Sequence, residues 1–197
     1  MRVEVAFEAE EHTDLLQIPW EAAEADNRYI DLRENPDAVD RLEPARQHRP
    51  LRGFLAALNS ADSFFSTARS KTEHRQERPR ASAEAAGEPC EFVSRVDLIF
   101  AAESFNFERA RYEELARRVQ ELLTRDTAPD ALRAELRVRP CRFGAHSHTG
   151  FCLEILLYAR GSTPEQAELR WGLGLARIQQ ALLFSSRILR QQMAPAT

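Results

Sequence analysis

Cys141, His146, His148 and Cys152 lie within twelve residues of one another. Thiolate sulfur and imidazole nitrogen are the donors that tetrahedral Zn²⁺ takes, and a hairpin brings the two cysteines at its base together. The spacing, C-x4-H-x-H-x3-C, is none of the familiar short zinc pairs. The competing reading makes Cys141 and Cys152 ordinary strand residues and His146 and His148 part of a polar loop tip. Zinc is therefore the alternative expectation and no cofactor the leading one. Cys-based nucleophilic catalysis assisted by His148 has no recognisable motif around it.

A second set is ionic. Glu8, Glu10, Asp97, Glu135 and Glu154 share strand faces with Arg137 and Arg139, so they can converge on one sheet face and hold a small anionic or polar ligand. General acid–base chemistry would need some of these carboxylates buried with shifted pKa values, and pairing across the sheet is the simpler expectation. Basic residues cluster at Arg69, Lys71, His74, Arg75, Arg78 and Arg80, and again at Arg137, Arg139 and Arg142. RNA recognition on a sheet also needs aromatic platforms, and the open faces carry no ring except Phe143 near a strand end. A nucleic-acid partner is not expected. Gly172 and Gly174 stand inside a helical stretch, where they allow close backbone approach; a phosphate-binding loop would place glycines after a strand. The chain holds no G-x-x-x-x-G-K-[ST], H-E-x-x-H, C-x-x-C or G-x-S-x-G.

Regular periodicity defines the elements that must position these groups. Arg2 to Glu10 alternates apolar and charged residues, as do Phe64 to Gln76, Phe92 to Phe100, Leu132 to Arg139 and Phe151 to Tyr158, which predicts five strands. Asn35-Pro36 and Pro50 open short helices, and Tyr112, Leu115, Ala116, Val119, Leu122 and Leu123 recur at helical spacing. Thr163-Pro164-Glu165-Gln166 reads as a capping box that starts a long helix reaching about Gln192. Residues 11–31 have no clear pattern, and 77–89 lack large apolar residues, which reads as a mobile loop within one domain spanning 1–197.

The order β-α-β-β-α-β, then one more strand and the long helix, predicts an α+β fold. Its expected form is a ferredoxin-like core extended by a strand, with an antiparallel sheet in the order fifth, fourth, first, third, second. Helices would cover one face and leave the charged face open. The fourth strand would set Arg133, Arg137 and Arg139 beside Glu4, Glu8 and Glu10, a favourable pairing.

With 29% charged residues and a net charge of −4, neither a nucleic-acid field nor an acidic tail is implied. Three cysteines make no disulfide scaffold, the first residues have no leader pattern, and the longest apolar run is too short to span a bilayer. The expectation is a cytoplasmic protein with no membrane partner. The long helix is apolar over a wider arc than one sheet covers, with Trp171, Leu175 and Phe184 at its flanks, which predicts a homo-oligomer, most simply a homodimer. Together these features point to a non-enzymatic, self-associating module for protein interaction or small-ligand binding. The alternatives are a metal-dependent enzyme or sensor at the Cys/His hairpin and, after that, RNA binding.

Leu136 to Arg160 forms a strand ending in Phe143-Gly144, a polar tip and the strand Leu153-Glu154-Ile155, and is followed by the long helix. This passage resembles the cytoplasmic α/β end domain of small mechanosensitive channels. The resemblance covers only the hairpin and helix, and without a membrane segment it implies no channel function.

Overall fold

A computed structural model describes residues 1–8, 15–19, 29–76, 88–125, 131–144 and 148–193, except for the side chain of Met193. Glu10, Arg78, Arg80, His146 and most of the expected 77–89 loop lie outside the described residues.

The chain is α+β. The strands are β1 (Arg2–Phe7), β2 (Leu16–Ile18), β3 (Phe65–Gln76), β4 (Cys90–Phe100), β5 (Leu132–Phe143) and β6 (His148–Gly161). The helices are α1 (Glu43–Gln47), α2 (Arg49–Leu58), α3 (Arg109–Thr124) and α4 (Pro164–Met193), with 3-10 turns at Pro36–Arg41 and Glu103–Phe107. The sheet runs β1-β5-β6-β4-β3, and β2 pairs with β5 beyond the end of β1.

This order corrects the ferredoxin-like expectation. β1 lies beside β5 as foreseen, but parallel to it and at the sheet edge, while β6 takes the central place between β5 and β4. Strand length and side-chain chemistry account for the exchange. From Phe151 to Ile155 every residue of β6 is buried, so both faces of that strand need cover, whereas β1 is short and buries little beyond Val3. A strand buried on both faces belongs inside a sheet, and a half-polar, half-exposed one can close its edge.

The helices pack on one sheet face. Trp171, Leu175, Ile178 and Leu182 of α4 are buried there with Phe92, Val96 and Leu98 of β4 and Leu153, Ile155 and Leu157 of β6. Trp171 Nε1 donates to Ser94 Oγ at 2.7 Å, which satisfies the indole in the core. Thr163 caps α4 by accepting from the Gln166 amide at 3.2 Å, while Gln166 reaches back to the amide of Ser162 at 2.7 Å. Trp171 and Leu175 are thus core residues of the protomer, a correction to their expected place at an oligomer interface. At 100° per residue they fall in line with Ile178 and Leu182, and Leu173 falls on the opposite side.

The second sheet face has an apolar end, formed by Ile18, Ala68, Ile99, Cys141, Phe143 and Cys152. The remainder is ionic.

Candidate functional site

Of the four expected zinc ligands, Cys141, His148 and Cys152 are among the described residues. Cys141 and Cys152 lie buried on neighbouring strands at a diagonal, since Cys141 is paired with Gly150 and Arg139 with Cys152. Their thiols are free. The hydrogen bond to Cys141 and then burial push the Cys152 thiol well above its ordinary 9.0. His148 is exposed opposite Phe143, four residues up β6 from Cys152, or roughly 13 Å at the rise of a strand. Among the described residues no three His, Cys, Asp or Glu side chains are grouped to hold a metal.

The ionic face does assemble, and more tightly than pairing of exposed charges would require. Asp97 and Glu154 are directly opposite in register on β4 and β6, and their side chains are only 1% and 2% exposed. Like charges at opposite sheet positions repel, so they persist only with cations between and around them. Glu154 accepts from Arg95 and, at 2.9 Å, from Arg139, with Arg137 at 3.6 Å; Asp97 accepts from Arg69 at 2.6 Å. Arg139 also reaches Glu8 at 2.8 Å, and Glu135 is held by Arg133 at 2.6 Å and by Arg137. Five arginines and four carboxylates therefore share the centre of the face. The carboxylates form its floor and the guanidinium groups its outer layer, so the expected ligand candidates Glu8, Asp97, Arg137, Arg139 and Glu154 are brought together but spend their charge on each other.

One pair had no signal in the sequence, because its members are 120 residues apart. His48, which caps α2, points Nδ1 at Glu168 Oε1 of α4 at 2.7 Å. The imidazole ring sits edge-on to Phe92 and Trp171, with centroids 4.9 and 5.7 Å away. A carboxylate that orients an imidazole is a feature of catalytic bases. Here the ring is packed between two core aromatics, and the pair joins α2 to α4 over β4.

The outer side of α4 is of another kind. Leu169, Leu173 and Phe184 are 68%, 61% and 50% exposed, the most exposed large apolar side chains of the helix. With Ala176 and Gln180 they form one stripe along it. Beside the stripe, Leu132, Leu173 and Ala176 line an apolar depression of about 350 Å³ bordered by Arg170 and Arg177. Phe184 is thus exposed together with Leu169 and Leu173, whereas Trp171 and Leu175 are buried within the protomer.

Among the described residues no helix is long and apolar enough to cross a membrane. Comparison of the chain with protein-family models, curated proteins and solved structures gives no match.

Proposed function

We propose that the chain is a non-enzymatic interaction module that self-associates as a homodimer, with the outer stripe of α4 as its working surface. The observation that carries this reading is the exposure of Leu169, Leu173 and Phe184 on one side of a helix whose other side is fully buried. An apolar stripe that long costs free energy in water, at about 25 cal/mol per Å² of apolar surface, and burial against another surface recovers it. The ionic sheet face offers no comparable drive, because its charges are paired with one another, with only Arg95 Nε and Asp97 Oδ1 buried without a hydrogen-bond partner among the described residues. A cytoplasmic setting belongs to the same proposal, supported by three free, buried thiols.

Light scattering at micromolar concentration tests the reading. The unmodified protein is expected to be a dimer whose melting temperature rises with concentration. Leu173→Glu, on the exposed side, is expected to give a monomer with an unchanged circular dichroism spectrum. A monomeric unmodified protein would sink the proposal.

A further inference from the structure

We infer that two copies of α4 pack antiparallel about a two-fold axis at Ala176, with Glu165 of each copy beside the partner's Arg187. The inference rests on the self-association just proposed and specifies its geometry. The exposed side of α4 has a charge order: Glu165 at its start, then Leu169, Leu173, Ala176, Gln180 and Phe184, then Arg187. Glu165 and Arg187 each lie eleven positions from Ala176, about 16 Å along the helix in opposite directions, and Leu169 and Leu183 each lie seven. At 100° per residue these four stay within about 20° of the Ala176 direction, while Gln180, Leu173 and Phe184 lie about 40°, 60° and 80° to one side of it. A two-fold axis through Ala176 therefore lays Leu169 on the partner's Leu183 and Phe184, and Leu173 on the partner's Gln180, with acid on base at both ends.

Other arrangements lose these matches. Parallel pairing in register would set Glu165 against the partner's Glu165 and Arg187 against the partner's Arg187, and would align two helix dipoles side by side. Moving the axis by one turn, to Gly172 or Gln180, would set Glu165 opposite the partner's Gln179 or Arg187 opposite the partner's Leu173, and both ion pairs would be lost. The Glu165 carboxylate is fully exposed, and hydrogen bonds from its own backbone amide and from Thr163 hold it below the usual range, so it is ionised at neutral pH. Arg187 is exposed and needs no movement of the fold to meet it.

Cysteine cross-linking and charge exchange test the register on the full-length protein. Ala176→Cys is expected to give a covalent dimer on mild oxidation, whereas the unmodified protein, whose described cysteines are all buried, is not. Glu165→Arg and Arg187→Glu alone should each weaken the dimer about fivefold or more, and the double variant should return it to within about twofold of the original. A dimer that persists while Ala176→Cys stays unlinked and both single reversals leave the dissociation constant unchanged overturns the register but leaves self-association standing. A monomer for the unmodified protein removes both.

Discussion

Glu154 is the residue on which most of the ionic face converges. Its side chain is 2% exposed and three arginines hold it, so removing it leaves their charge uncompensated in a partly desolvated layer. Glu154→Ala is expected to cost about 3 kcal/mol in urea unfolding. Glu4→Ala, which ends a pair with Arg2 that is 42% and 74% exposed, should stay within about 0.5 kcal/mol of the parent. Equal effects would mean that the face is solvated throughout. Cys152 gives a pH-dependent counterpart. Because its folded pKa lies above the ordinary 9.0, its contribution to stability is complete below that value and fades as pH rises toward the folded pKa. The melting temperature should therefore fall above about pH 9, and Cys152→Ala should blunt that fall. In the native protein at pH 8 the thiol should also resist an aromatic disulfide reagent that reacts once the chain is unfolded. The residue types for both features were legible: alternation put Glu154 and Arg139 on one face, and Cys152 on a strand. Their burial was not, because a carboxylate is buried only by what the neighbouring strands lay over it. Spacing along the hairpin likewise does not reveal that Cys141 and Cys152 are buried on neighbouring strands while His148 is exposed four residues along β6 from Cys152.

At the scale of elements, the corner between β6 and α4 sets how the long helix meets the sheet. A Cβ on Gly161 would lie 2.5 Å from the backbone nitrogen of Ala167 and 3.0 Å from its Cα, so β6 can end against the first turn of α4 only with glycine there. Gly161→Ala is expected to destabilise the protein by about 2 kcal/mol or more, whereas Gly53→Ala on the exposed side of α2, where a Cβ meets nothing within 4 Å, should stabilise it by up to about 1 kcal/mol. Chemical denaturation of the two variants measures both signs, and a stable Gly161→Ala protein would show that the corner relaxes. Elements with strong periodicity were readable to within a few residues: α3, α4 and the five longer strands all form where alternation or helical spacing predicts them. β2 was not, because three residues carry no period and Leu16–Ile18 becomes a strand only by pairing with Cys141–Phe143. The phase of α4 was misjudged for a related reason. A helix apolar over most of its circumference has a weak directional signal, and the sheet, not the periodicity, chose the Trp171 side.

At the scale of the whole molecule, local pattern determined the class and the inventory of this protein: an α+β chain with five readable strands, a capped C-terminal helix, arginine-rich and acid-rich strand faces, and an apolar excess in α4. Each of these depends on residues within a turn or a strand of one another, where side-chain direction follows from the backbone period alone. Tertiary structure decided the rest. It placed β6 and not β1 at the centre, because burial on both faces is settled by competition among strands for neighbours. It closed Asp97 and Glu154 beneath a layer of arginines, because register between β4 and β6 brings together residues far apart in the chain. It also turned Trp171 and Leu175 inward and left Leu169, Leu173 and Phe184 outside. The composition of α4 implies that some apolar surface is left over, but only the packing of the helix on its sheet determines which side that is.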